Sequence, residues 1–112
     1  MENDDVIAQY LRENHCGEQN VVTSRILEEI FKMRGPELRR IINRLRSKCI
    51  PICSTDSGYF YAETEDELQR TIRQLRSRMT KIASAERGLT RSLSLFADDR
   101  QTSFLLEGGV CS

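Results

Sequence analysis

Arg39, Arg40, Asn43 and Arg44 lie within six consecutive residues, and Arg46 and Lys48 follow at once. A guanidinium can pair with the O6 and N7 of guanine or hold phosphate oxygens, and a carboxamide can pair with adenine. On a helix, residues three and four apart share a face. The set therefore has the chemistry of a base-reading surface and not of a reaction centre. Arg46 and Lys48, with Thr55 and Ser57 further along, are expected to hold phosphates, which positions a protein without specifying sequence. Glu37, Asp56 and Glu63 lie close by and oppose a polyanion. A purely solubilising role for these arginines is the competing reading.

No other group of residues has a pattern suited to catalysis. His15 is the single histidine and Cys16 follows it directly. A Cys–His nucleophile needs converging side chains and an orienting third group, and chain neighbours usually point apart. His15 is read as the frayed end of a helix. Gly108-Gly109 is the only glycine pair and does not open a helix as a phosphate-cradling loop would. Cys16, Cys49, Cys53 and Cys111 lack the paired C-x2-C spacing of structural zinc sites, so free thiols in a reducing compartment are expected. The chain is thus expected to be a binding protein with no metal or cofactor, and not an enzyme.

A chain of 112 residues suits one small domain with appendages. Its net charge is zero, but the charge is blocked along the chain. Residues 21–50 carry eight basic against three acidic residues, and residues 70–91 carry seven against one. Acidic stretches separate the two blocks. Such blocks can steer a polyanion although the total cancels. No run approaches the ~18 apolar residues of a membrane span. The start Met1-Glu2-Asn3-Asp4-Asp5 is unlike a secretory signal, so a cytoplasmic location is expected.

The elements that must position the basic residues follow from periodicity. Residues 4–14 read as a first helix, capped by Asp4 or Asp5, with Val6, Ile7, Tyr10 and Leu11 on one face. Asn20-Val21-Val22 reads as a short strand. Thr23-Ser24 caps a second helix with Ile26, Leu27, Ile30 and Phe31 as its buried stripe, stopping near Met33-Arg34-Gly35. Pro36 opens a third helix, over 36–48, where Pro at the first helical position is harmless. Leu38, Ile41, Ile42, Leu45 and Cys49 form its apolar stripe. Residues 50–54 and 59–62 read as a hairpin around Thr55-Asp56-Ser57-Gly58. Thr64 caps a long fourth helix to about Arg87-Gly88, with Glu65, Asp66 and Glu67 favourably placed in its first turn. Residues 90–112 read as a flexible tail.

Two helices joined by a tight turn and followed by a hairpin make a winged helix-turn-helix, whose second helix enters the major groove. The expected fold is mainly α with one small β-hairpin. It comprises a winged helix-turn-helix domain over 1–63, a long basic helix over 64–89 and a tail over 90–112. The third helix would read double-stranded DNA while the wing, 50–62, rests on the backbone. Along the fourth helix Leu68, Ile72, Leu75, Met79 and Ile82 are spaced as a coiled-coil seam, implying a homodimer through 64–87 that would present two recognition helices. Its outward Arg70, Arg73, Arg76, Arg78 and Lys81 could add phosphate contacts.

The segments Pro36–Arg46, Ile50-Pro51-Ile52-Cys53-Ser54 and Gly58-Tyr59-Phe60-Tyr61-Ala62 resemble a group of small winged-helix proteins encoded by phages and prophages of Gram-positive bacteria. The resemblance covers about residues 20–87. It implies DNA binding in phage transcription control, excision or replication, in a bacterial cytoplasm. The chain departs from that pattern at Lys48-Cys49, where the group often has a pair ending in Gly. In the tail, Ser92-Leu93-Ser94-Leu95-Phe96 resembles the peptide with which bacterial replication proteins bind the sliding clamp. That resemblance implies an adaptor alternative in which Leu93, Leu95 and Phe96 anchor an extended segment.

Overall fold

The computed structural model describes residues 3–99. Helix α1 runs Asn3–Asn14, α2 Ser24–Phe31 and α3 Gly35–Ser47; strands β1, Ile52–Thr55, and β2, Gly58–Tyr61, follow, and α4 spans Glu65–Ser92. Short 3₁₀ segments occupy Glu18–Asn20 and Leu93–Asp99. This is the order expected of a winged helix-turn-helix with a long C-terminal helix. The chain divides into two compact units, Met1–Arg73 and Gln74–Ser112.

The core of the first unit is built by one stripe from each helix. Ile7 and Leu11 of α1, Leu27 of α2, and Leu38, Ile41, Ile42 and Leu45 of α3 are buried together with Val22 and Ile52. Tyr10 meets Phe31 edge-on, with ring centroids 5.5 Å apart, a geometry favoured by the aromatic quadrupoles. The expected stripe of α2 is corrected here. Leu27 is fully buried and Phe31 partly so, but Ile26 and Ile30 are 46% and 44% exposed. An eight-residue helix touching one neighbour closely has room for one buried column, and Ile26 and Ile30 stand beside it. On α1, Val6 likewise faces outward, at 38% exposure.

The turn between α2 and α3 also differs from expectation. α2 ends at Phe31, and Lys32 takes the left-handed conformation at φ 53°. Its N–H and that of Met33 both donate to the Glu28 carbonyl. Gly35 is already helical, so the glycine makes no part of the turn. Thr23 caps α2 as expected, its hydroxyl accepting from Ile26 N–H at 3.2 Å. At the far end of α3, Cys49 leaves the apolar stripe. It is exposed and sits at φ 70°, while Ile50 N–H reaches back to the Leu45 carbonyl at 3.0 Å. That six-to-one bond marks a Schellman exit, whose left-handed residue is usually glycine.

The hairpin turns where expected, but β1 begins two residues later, at Ile52, and the two strands run on through Thr55 and Gly58. Ile52 pairs with Tyr61, Cys53 with Phe60, Ser54 with Tyr59 and Thr55 with Gly58. Asn20-Val21-Val22 contributes not a strand but one bridge: Val22 exchanges both backbone hydrogen bonds with Tyr59, at 2.9 and 2.8 Å. Gly58 makes this approach possible. At φ +146° it lies against the Val22 carbonyl, and a Cβ there would collide with that oxygen and come within 2.8 Å of Thr23 Cα.

The first turns of α4 belong to the first unit because three sets of bonds hold them there. Thr64 and Glu67 form a reciprocal capping box: Glu67 N–H donates to the Thr64 hydroxyl at 3.2 Å and the Glu67 carboxylate accepts from Thr64 N–H at 3.2 Å. That carboxylate also accepts from the N–H groups of Glu63 (2.8 Å) and Glu18 (2.9 Å). Its pKa is held below the usual carboxylate range, first by the Glu18 bond, against the opposing effect of burial. Arg70 pairs with Glu18 at 2.9 Å, and Ser54 N–H donates to the Thr71 hydroxyl at 3.2 Å.

Candidate nucleic-acid interface

α3 offers its outer face because its inner face is full. Arg39, Arg40, Asn43, Ser47 and Lys48 are exposed. The side chains of Arg39 and Arg40 make no hydrogen bond or ion pair among the described residues, so their guanidinium groups are available to a ligand. Asn43 engages only its backbone carbonyl, which accepts from the Ser47 hydroxyl at 3.0 Å. The exposed face thus presents two guanidinium forks and one carboxamide.

Arg44, expected as a base reader, and Arg46, expected as a phosphate contact, are both engaged within the domain. Arg44 donates from Nε and Nη2 to both carboxylate oxygens of Asp4, at 2.9 and 3.0 Å. This fork ties α1 to α3, and Asp4 is buried instead of capping its helix. The Arg44 hydrogen bonds hold the Asp4 carboxyl below its ordinary range although burial opposes them, and the charge of Lys48 helps. Arg46 donates to the Ile52 carbonyl at 2.8 Å and to the Ser54 hydroxyl at 3.2 Å, clasping β1 to α3. Both arginines therefore build the domain.

The wing is chemically spare. Thr55 is half-buried and its hydroxyl accepts from Ser57 N–H at 3.1 Å. Asp56 and Ser57 are exposed at the tip. No Lys or Arg lies between residues 49 and 69, so any phosphate contact by the wing comes from hydroxyl and backbone groups. Lys32 and Arg34 were not singled out by sequence pattern, yet both are exposed in the turn that leads into α3. They flank the N-terminal end of the helix, the end a helix-turn-helix presents to base edges. Their signal is present in the sequence, as two cations just before Gly35-Pro36, but it is masked when the turn is placed at the glycine.

The remaining residues of interest fall elsewhere. Leu68 is half-buried and Ile72 is exposed at the start of α4; in the second unit Leu75 is half-buried while Met79 and Ile82 are exposed. The expected tail is helical at its beginning. Thr90–Ser92 close α4, and the clamp-like residues Leu93, Leu95 and Phe96 sit in the 3₁₀ segment with exposed side chains, not in an extended peptide. The rest of the tail, 100–112 with Cys111, lies outside the described residues. Cys16, Cys49 and Cys53 are free thiols, and burial pushes the Cys53 thiol pKa up. His15 is anchored, with Nδ1 at 2.9 Å from the Asn20 carbonyl. No helix among the described residues is long and apolar enough to cross a membrane.

The first unit and its basic third helix define a winged helix-turn-helix protein. No family model, curated protein or solved structure matches the chain.

Proposed function

We propose that the chain binds double-stranded DNA by laying α3 in the major groove, with Arg39, Arg40 and Asn43 facing base edges. The observation that carries this reading is a division of labour along one helix. Arg44 and Arg46 are held by Asp4, Ile52 and Ser54, whereas the side chains of Arg39 and Arg40 stand exposed on the same helix with no internal bond. Lys32, Arg34 and Lys48 supply phosphate contacts at the two ends of α3, and Thr55 and Ser57 supply weaker ones from the wing. The resemblance of residues 20–87 to phage winged-helix proteins supports a role in transcription control, excision or replication.

The test is fluorescence anisotropy on duplex DNA over a salt series. Replacing Arg39 and Arg40 by Ala is expected to lower the salt slope by about 0.9 for every phosphate that is no longer neutralised. If one of them reads a base, its removal also abolishes about 1–3 kcal/mol of preference at that base pair. An unchanged slope and affinity in the double variant overturns the reading.

A further inference from the structure

The second unit carries an apolar stripe that is exposed from Met79 to Phe96 among the described residues. Leu75, Met79, Ile82, Glu86, Leu89, Leu93 and Phe96 follow one another at alternating spacings of four and three. Read by sequence alone, the pattern halts at Glu86. The fold carries it further, because α4 continues through Ser92 and helical geometry persists to Asp99. Residues three apart eclipse in a 3₁₀ helix, so Phe96 stays in line with Leu93. Met79, Ile82, Leu89, Leu93 and Phe96 are each between 62% and 72% exposed. A 4-3 spacing sustained over this length is the spacing of two helices wound together.

The charges identify what covers the stripe. Leu75, Ile82, Leu89 and Phe96 take one core position of the heptad, and Met79, Glu86 and Leu93 the other. The positions flanking this core are Arg76, Arg78, Ala83, Ala85, Thr90 and Ser92. Lys81, Arg87 and Arg91 all turn away from it. Four of these six border residues are small and uncharged, and the two cations, Arg76 and Arg78, both lie at its N-terminal end. Two copies meet without like charges opposed in an antiparallel register centred on Ser84: Arg76 faces Thr90 and Arg78 faces Ser92 of the second copy, and Glu86 meets Ile82. In parallel register the two Glu86 carboxylates would instead meet in the core. An acidic partner would require cations along the whole border, and the half beyond Arg78 has none.

We propose that residues 75–96 pair with the same segment of a second copy of this chain as a two-stranded coiled coil. Glu86 is the single polar core position, and its carboxylate accepts from the Thr90 hydroxyl at 3.1 Å within its own helix. One polar core residue weakens such a pairing while restricting its register. The pairing does not depend on nucleic acid, so its outcome and that of DNA binding are read separately.

The experiment is sedimentation equilibrium of the full chain under reducing conditions over a wide concentration range. A monomer–dimer equilibrium is expected. Glu86→Leu is expected to tighten it by about tenfold or more, and Ile82→Glu with Leu89→Glu to weaken it by about tenfold or more. Leu95→Ala lies off the stripe and is expected to leave it unchanged. All substituted side chains are exposed, and Tyr10, Tyr59 and Tyr61, the three tyrosines, sit in the first unit. Near-ultraviolet circular dichroism therefore verifies that this unit remains folded. A wild type and Glu86→Leu variant that both stay monomeric, or a dimer indifferent to the double substitution, overturns the proposal.

Discussion

α3 and α4 are both basic amphipathic helices, and their apolar stripes meet opposite fates. Leu38, Ile41, Ile42 and Leu45 of α3 are at most 2% exposed, whereas Met79, Ile82 and Leu89 of α4 are at least 62% exposed. The stripe of α3 is closed by α1, α2 and β1. At the start of α4, within the first unit, Thr64, Glu67, Arg70 and Thr71 bond to their surroundings, whereas the apolar stripe of the second unit is exposed. Spacing tells that a helix has a side to cover. Whether the same chain covers it depends on partners far away in sequence. The difference also assigns roles: a closed inner face leaves α3 one surface to offer, its cations, while α4 offers apolar side chains as well.

Truncating matched residues on the two stripes sharpens this contrast most. Leu45→Ala removes a side chain that is 1% exposed and is expected to cost about 2–5 kcal/mol of unfolding free energy. Ile82→Ala, in protein dilute enough to be monomeric, is expected to cost less than about 0.5 kcal/mol. Urea denaturation followed by circular dichroism measures both. A comparable loss at Ile82 would mean that the stripe of α4 is covered within its own chain, and the comparison would collapse.

Much of the fold is legible in local pattern, and the failures share a cause. Leu38, Ile41, Ile42 and Leu45 declare their face by spacing, Pro36 marks a helix start, and Gly58 marks the hairpin turn. Asp4 and Arg44 are different. Each has a plausible local role, as a cap and as a base reader, and only the fold brings them together across forty positions. Arg46 is equally ambiguous until β1 lies beside it. Glu67 shows a partial case. Its capping-box spacing from Thr64 is readable, but its third bond, to Glu18 N–H, is not. Charge pattern therefore over-populates the candidate interface: it finds cations, and tertiary contacts decide which remain available. Ile26 and Ile30 teach the same for apolar residues, since a short helix leaves its facing direction underdetermined.

The Asp4–Arg44 fork offers a smaller but more diagnostic test of why α3 differs from α4. Asp4→Asn keeps the shape and removes the charge, and it is expected to cost about 1–2 kcal/mol at neutral pH. The figure sits toward the low end for a charged hydrogen bond because the Arg44 side chain is 55% exposed and partly screened by solvent. The folded-state pKa of Asp4 is depressed. Its contribution is thus complete above the ordinary carboxylate value and fades as the pH falls through the lower, folded value. The stability gap between wild type and Asp4→Asn is expected to be flat from neutral pH to about pH 5 and to close below about pH 4. A gap that persists at acid pH would show that shape, not charge, joins α1 to α3.

The smallest expected effects come from two residues, each standing where the other would fit better. Cys49 holds φ 70° at the exit of α3, a conformation that strains a side chain and suits glycine. Gly88 lies inside α4, where glycine weakens a helix, and a Cβ there would meet nothing within 4 Å. Cys49→Gly relieves the left-handed strain at the cost of a freer unfolded chain, whereas Gly88→Ala removes backbone freedom with no steric penalty. Each is expected to stabilise by about 0.5–1 kcal/mol, but in different measurements. Cys49→Gly should raise the unfolding midpoint of the first unit, followed by tyrosine near-ultraviolet dichroism. Gly88→Ala should leave that midpoint in place, raise far-ultraviolet helicity and strengthen self-association. If Gly88→Ala shifted the tyrosine signal instead, the two units would unfold as one, and α4 would owe its stability to the same core that closes α3.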